Sequence, residues 1–93
     1  MAATRTFSSV TADLMHRIRQ VARDEHGILF DPPDGTKGTA TGRTPLGECI
    51  VHFAYDSVQA KLVMTLAKKP LMLPAGFLWT AFSAELERSR GLL

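Results

Sequence analysis

The sequence lacks the features of a secreted or membrane-spanning protein. It has a single cysteine, Cys49, so no disulfide can form within the chain, and no basic segment followed by a hydrophobic one opens it. Its longest apolar stretch, residues 71–82, contains Pro74 and Gly76 and is shorter than the roughly 20 residues of a spanning helix. We therefore expect a cytoplasmic protein with no membrane span.

The motifs of common active sites are also missing. There is no Gly-x-Gly-x-x-Gly, Walker-type, Gly-x-Ser-x-Gly or His-Glu-x-x-His sequence, and His16, His26 and His52 do not have metal-ligand spacing. The carboxylates are scattered and none lies in an apolar segment that would raise its pKa. Because no nucleophile, base and orienting group come together, the sequence predicts no enzyme, no metal and no cofactor. No stretch is specific enough to indicate a family.

A strong charge of one sign is absent as well. The 93 residues include 11 basic and 9 acidic side chains, for a net charge of +2, which neither requires nor forbids a nucleic-acid partner. A hydrophobic content of 45% in a chain of this length is enough for one core and too little for two. We expect residues 1–93 to form a single domain.

The segment 47–67 is predicted to form the central β-hairpin. Two runs of β-branched and aromatic residues flank Asp56-Ser57, which suits a two-residue turn, although a longer loop stays open because Asp-Ser is weaker than Asn-Gly. In the two-residue register, Phe53 lies opposite Ala60 and His52 lies opposite Lys61. The apolar face, which we expect to be the core face, then contains Cys49, Val51, Phe53, Ala60, Leu62 and Met64.

Residues 36–44 predict a strand that pairs with the first strand of the hairpin, with Arg43 opposite Glu48 across a Pro45-Leu46 turn. Three small residues then lie on the core face, namely Gly38, Ala40 and Gly42. They either let a helix approach the sheet closely or loosen an edge strand.

Two amphipathic helices flank these strands. Thr11 is the expected N-cap of a helix that begins at Ala12 and ends at Gly27, and a second helix is expected from about Ala75 to Arg90. Residues 28–30 predict a short strand, and residues 1–8 are either a flexible tail or an edge strand, of which we prefer the strand. The predicted fold is α+β: an antiparallel meander of three to four strands with both helices on one face, a two-layer sandwich.

The apolar stretch 71–82 exceeds what one helix face on one sheet can bury. Its candidate interface residues are Leu71, Met72, Leu73, Phe77 and Trp79. A surface of this kind usually contacts a partner, and a symmetric homodimer is the commonest one. Two alternatives stay open: the stretch folds back and is buried within the chain, or it contacts a lipid or granule surface together with Lys68 and Lys69.

Arg17, Arg19 and Arg23 are predicted on the solvent side of the first helix, where they are candidate contacts for nucleic-acid phosphates. The order helix, three strands, helix is similar to that of double-stranded RNA-binding domains. Those domains have a lysine cluster where this chain begins its second helix with Pro-Leu-Met-Leu-Pro. Nucleic-acid binding is therefore the minority alternative, and a solvated helix face is the simpler interpretation.

Two further residues are candidates for an anion site. His52 and Lys61, paired across the hairpin, are potential cations side by side, although an ordinary solvated pair explains them too. Cys49 is expected to act as a small core residue. Together these features predict a small binding domain that forms a homodimer through residues 71–82, with nucleic-acid binding, or small-ligand or lipid-surface binding, as alternatives.

Overall fold

The computed structural model describes residues 3–91, with two helices and five strands in the order β-α-β-β-β-β-α. The elements are β1 (Ala3–Phe7), α1 (Ala12–His26), β2 (Leu29–Asp31), β3 (Lys37–Thr44), β4 (Gly47–Asp56), β5 (Lys61–Lys68) and α2 (Ala75–Gly91). The strands form one antiparallel sheet in the order β1-β5-β4-β3-β2. The predicted α+β two-layer class is confirmed, and the sheet has five strands rather than three or four.

The edges of the sheet are the strands predicted at residues 28–30 and, as the preferred alternative, at residues 1–8. Residues 3–7 of the predicted tail or edge strand pair with β5, whereas residues 1 and 2 of that segment lie outside the described residues. The short β2 pairs with β3, with Phe30 opposite Ala40. The chain thus forms one edge strand, β1, before α1 and the opposite edge strand, β2, directly after it. The β2–β5 meander then leads to α2.

The β3–β4 hairpin has the predicted register. Arg43 lies opposite Glu48 and Ala40 opposite Val51, and the turn between them is Pro45-Leu46. The side chain of Thr44 fixes this turn, because its hydroxyl accepts from the amide of Leu46 and donates to the carbonyl of Gly47. Local turn chemistry therefore determines the pairing here.

The β4–β5 hairpin corrects the predicted register. Phe53 lies opposite Met64 rather than Ala60, because the loop contains residues 57–60 instead of two residues. Oδ1 of Asp56 accepts from the amides of Val58 and Gln59, which builds a wider turn. The partner moves by an even number of positions, so each side chain keeps its predicted face. Ala60, predicted in the core layer, is instead in the loop with a positive φ of 53°.

Both helices end close to their predicted limits. The hydroxyl of Thr11 accepts from the amide of Leu14 at 3.2 Å, and Gly27 adopts the left-handed conformation that ends α1. The core between helices and sheet consists of alternate strand residues and the helix faces above them. Its buried apolar members are Val10, Leu14, Met15, Phe53, Leu62, Met64, Leu66, Trp79 and Leu86.

At Gly38, the absence of a side chain lets another segment come close to β3. That segment is the end of β2 and the loop after it, not a helix. A Cβ on Gly38 would collide with the carbonyl oxygen of Asp31 and lie 2.7 Å from Cδ of Pro32. A Cβ on Gly42 would meet only Ile28, at 3.6 Å. Because β2 lies beyond it, β3 is not an edge strand. Gly38 is therefore needed where the segment after β2 folds over β3.

Candidate functional site

One end of the molecule exposes large apolar side chains. Leu71 and Met72 expose 96% and 83% of their surface, and Phe77, in the first turn of α2, exposes 62%. Leu73 and Trp79 of the same predicted interface are buried within the chain, Trp79 in the core cluster. The predicted interface is therefore divided, because the turn from Pro70 to Leu73 directs Leu73 inward while Leu71 and Met72 face solvent.

The β3–β4 turn contributes to the same end. A Cβ on Gly47 would lie 3.3 Å from Cγ of Pro70, so the turn packs against the segment that leads into α2. Leu46, in that turn, is more than half exposed. We call the exposed residues Leu46, Leu71, Met72 and Phe77 the apolar end. An ion pair flanks it, with Nζ of Lys68 3.7 Å from Oε1 of Glu48.

The basic face predicted for α1 loses its central residue. Arg19 is buried, and its guanidinium donates to the carbonyl oxygens of Pro33, at 3.0 Å, and Gly35. The same group lies 5.2 Å from the ring centroid of Phe53 and 5.8 Å from that of Phe30. The prediction that Arg19 faces solvent is wrong. It connects α1 to the loop after β2 and to the sheet.

Burial lowers the pKa of the Arg19 guanidinium, and the nearby carboxylate of Asp34 opposes that shift. Arg17 is half-buried and donates to Oε1 of Gln20 at 3.3 Å, whereas Arg23 is exposed. These two arginines are what is left of the predicted phosphate-contacting set on α1. Helical spacing indicates the buried position of Arg19, because Arg19 follows the buried Met15 by four residues and so shares its face.

The face of the sheet that the helices leave uncovered, which we call the open face, has a polar row across all five strands. Thr4 lies opposite Thr65, Thr65 opposite His52, His52 opposite Thr39, and Thr39 opposite Asp31. The hydroxyls of Thr4 and Thr65 are 3.2 Å apart, within hydrogen-bonding distance. His52 thus lies at the centre of a row of short hydroxyl side chains.

The predicted pairing of His52 with Lys61 is wrong, because the wider loop moves each to a new partner. His52 lies opposite Thr65, and Lys61 lies opposite Asp56 at the end of the hairpin. Lys37 lies opposite Ala54, so Lys37 and Lys61 are on the two strands that flank β4.

Two clefts lie beside these side chains. One of about 350 Å³ borders β2, where Asp31, Thr39, Thr41 and Arg43 are among its lining residues. The other, of about 430 Å³, lies at the β4–β5 turn. Its lining residues include Lys37, Ala54, Asp56, Gln59, Lys61 and Val63.

Cys49 and Tyr55 point to the core side of β4. Desolvation raises the pKa of the Cys49 thiol and of the Tyr55 hydroxyl, and the Tyr55 hydroxyl donates to the carbonyl of Val10 at 2.7 Å. Burial therefore favours the protonated thiol, which is the less nucleophilic form. Within residues 3–91 no group of three or more His, Cys, Asp or Glu side chains is arranged to hold a metal ion.

A cluster of polar and charged side chains joins the two helices. Nη2 of Arg88 lies 2.8 Å from both carboxylate oxygens of Glu25, Nε of Arg88 is 3.3 Å from Glu85, and His26 is 3.4 Å from Glu85. The hydrogen bond from Arg88 lowers the pKa of Glu25 and raises that of Arg88. No spacing could have indicated a contact between residues 63 positions apart.

None of the helices in the described part of the chain is both long and apolar enough to span a membrane. In comparisons with known proteins, no family model matches the chain, and no curated protein or solved structure is significantly similar to it.

Proposed function

We propose that this protein is a non-enzymatic binding domain that associates with a second copy of itself through the apolar end. The observation that supports the proposal most directly is the exposure of Leu71 and Met72 next to the buried Leu73. Adjacent apolar side chains in solvent oppose solubility unless another surface covers them. Covering them would be favourable by about 1.5–3 kcal/mol for each fully buried side chain.

A second copy is favoured over an unrelated partner because the surroundings of the apolar end contain both signs of charge. In a twofold interface the same patch faces itself, so each charge near the axis meets the corresponding region of its partner. Glu48 and Lys68, which already form an ion pair within one chain, can exchange partners across such an axis. A surface of one sign would instead favour a partner of opposite charge.

The expected association is weak and depends on concentration. A stable interface of standard size buries about 800 Å² on each partner and contains about 20–30 residues a side. The apolar end has only four large side chains, so we expect a dissociation constant in the micromolar range, on the order of 1–100 μM. The buried ring of Trp79 makes its fluorescence a poor reporter of this equilibrium.

A binding role is preferred to catalysis because of where the reactive side chains lie. The thiol of Cys49 is on the core side of β4, and His52 is on the open face of the same strand. Nucleic acid is the less favoured partner, since Arg19 donates to two backbone carbonyls instead of facing solvent.

The test compares substitutions of two side chains that are almost equally exposed, one in the segment beside the start of β4 and one in the loop after its end. Leu71→Asp places a charge in the apolar end, whereas Val58→Asp, at a side chain that is 94% exposed in the β4–β5 loop, is the matched control. Multi-angle light scattering and sedimentation velocity would measure the molar mass across a concentration range from about 1 to 300 μM.

We expect the unmodified chain and Val58→Asp to increase in mass toward that of a dimer, and Leu71→Asp to stay monomeric. An unmodified chain that stays monomeric over the whole concentration range would contradict the proposal. So would a dimer that survives Leu71→Asp combined with Met72→Asp, because association would then use another surface.

A further inference from the structure

The cleft at the β4–β5 turn has the composition of a small-ligand site and lies away from the apolar end. β4 runs from Gly47, beside the apolar end, to Asp56, beside this cleft. The cleft is a mostly open surface depression with a volume of about 430 Å³. Small-molecule sites in proteins commonly have volumes of about 300–1,000 Å³. Size therefore permits a ligand with a few ring or chain atoms.

Sheet register decides which side chains surround the cleft. Lys37 lies opposite Ala54, and Ala54 lies opposite Val63, so these residues form one row across three strands. Lys61 lies opposite Asp56 one row closer to the turn. Neighbouring strands are about 4.8 Å apart and each residue rises about 3.4 Å along a strand, so roughly 12 Å separate the backbones of Lys37 and Lys61. Two long, flexible ammonium side chains can thus reach one anion above Ala54.

The two lysines are available for such an anion. Within residues 3–91 neither forms an ion pair in the structure, whereas Lys68, on the same strand as Lys61, pairs with Glu48. The one carboxylate in the cleft, that of Asp56, holds the turn through Oδ1, which accepts from the amides of Val58 and Gln59. Two cations thus outnumber one partly engaged anion.

Between the lysines the floor of the cleft is apolar. Ala54 and Val63 face the open side and are only partly exposed. Cations above an apolar floor suit a molecule that has an anionic group next to a hydrophobic one. Ser57 and Gln59 at the rim add neutral polar groups.

We propose that this cleft binds a small organic anion, a phosphate monoester or carboxylate attached to an apolar group, through Lys37 and Lys61. The chemistry is the same whether the anion is a free molecule or the head group of a lipid. The proposal is independent of self-association, since neither lysine belongs to the apolar end.

The direct test is a titration of the full chain with phenyl phosphate, followed by the NMR shifts of the Ala54 and Val63 amides. We expect saturable binding with a dissociation constant near 1 mM or tighter. Inorganic phosphate, which lacks the apolar group, and phenol, which lacks the charge, should each bind at least roughly tenfold more weakly.

Variants assign the binding to the cleft. Lys37→Gln and Lys61→Gln should each weaken phenyl phosphate binding roughly fivefold, since each loses one charge-assisted contact. Lys68→Gln, on the same sheet, should leave it unchanged. Asp56→Asn keeps the acceptor oxygen of the turn and removes the repelling charge, so it should tighten binding by roughly threefold.

The outcomes separate the sources of the anion. Binding to phosphatidylcholine vesicles only when they contain phosphatidate, lost in Lys37→Gln and Lys61→Gln, would support a lipid head group as the ligand. Saturable phenyl phosphate binding with the same losses would support a free ligand. Equal weakening by Lys68→Gln, or no saturable binding to either probe, would overturn the proposal. A monomeric chain that still binds phenyl phosphate would contradict only the proposed dimer.

Discussion

At the scale of single residues, Arg19 connects three parts of the structure. Its guanidinium donates to Pro33 and Gly35 in the loop after β2 and lies against the rings of Phe30 and Phe53. A buried cation is stabilising only when its donors are satisfied, and here carbonyl oxygens and aromatic faces replace water. Its role is therefore structural, which leaves the solvent side of α1 with fewer cations than the sequence indicates.

Arg19→Met should lower the free energy of unfolding by about 2 kcal/mol, because methionine keeps the volume but loses both hydrogen bonds and the charge above the rings. The stability of Arg19→Lys should lie between those of the unmodified chain and Arg19→Met, since an ammonium group cannot donate in the same forked geometry. Urea denaturation measures the differences. Arg23→Met, one turn further along α1 and exposed, is the control, with an expected loss below about 1 kcal/mol. Equal losses in Arg19→Met and Arg23→Met would show that the Arg19 contacts contribute nothing.

A second residue-scale prediction concerns the glycines of β3. Gly38→Ala should cost about 1–3 kcal/mol, because its methyl group would collide with the backbone of Asp31. Gly42→Ala, on the same face of the same strand, should change stability by less than about 0.5 kcal/mol, since only Ile28 is near, at ordinary contact distance. Chemical denaturation of the two variants side by side checks this. The close approach is not real if both alanines are tolerated equally.

At the scale of elements, α1 and α2 are joined by polar contacts as well as by the core. The carboxylate of Glu25, near the end of α1, accepts two hydrogen bonds from Arg88 of α2. Both side chains are about half exposed, so water and salt weaken the interaction. We therefore expect the Glu25–Arg88 contact to contribute little to the free energy of unfolding at neutral pH. Its effect is easier to measure as a dependence of stability on pH.

The sign of that dependence follows from the pKa of Glu25, which is lowered in the folded state mainly by the hydrogen bond from Arg88. A carboxyl group with a depressed folded pKa stabilises the fold above its unfolded pKa, about 4.3. That contribution is lost as the pH falls through the folded pKa. Melting temperatures measured from about pH 6 down to pH 3 should therefore decline less steeply in Glu25→Gln than in the unmodified chain.

Glu87→Gln is the control for this experiment. It also removes one carboxylate from the same region, but the ion pair of Glu87 is with Arg90 of its own helix, not across the helix contact. We expect its melting temperature to follow that of the unmodified chain. An identical flattening of the curve in Glu87→Gln would mean that total charge, not the Glu25–Arg88 contact, sets the acid response.

At the scale of the whole molecule, a 93-residue chain buries a limited core, so any interaction between copies is a sizeable part of its stability. Trp79 is part of the core beneath the helices, and Leu73 is also buried. Leu71 and Met72 are exposed and do not contribute to the core. Stability and the proposed self-association thus depend on different residues of one short segment, and substitutions can separate them.

If the proposed dimer forms, the melting temperature should rise with protein concentration, because only the folded chain associates. An increase of a few degrees is expected between concentrations well below and well above the dissociation constant, on the order of 1 kcal/mol of added stability. Differential scanning fluorimetry at several concentrations measures this. Leu71→Asp should abolish the concentration dependence without lowering the melting temperature of the dilute protein. Val58→Asp should retain it.

The order of the elements, the limits of both helices and the faces of the strands can be predicted from the amino-acid sequence alone. Thr11 and Gly27 cap α1, the Pro45-Leu46 turn sets the β3–β4 register, and alternation along β4 and β5 assigns Phe53 and Met64 to the core. These features depend on residues close together in the chain, and so short-range periodicity and turn chemistry are sufficient to predict them.

The other features depend on contacts between segments that are distant in the chain. Alternation cannot distinguish registers that differ by an even number of residues, so the four-residue loop and the pairing of Lys61 with Asp56 depend on how the chain closes at Asp56. Helical spacing places Arg19 on the face of the buried Met15, but the carbonyl groups that accept from its guanidinium are 14 and 16 residues away. Contacts between distant segments also decide that Leu73 is buried and Leu71 is not, because the composition of a segment does not specify which of its apolar side chains finds a partner.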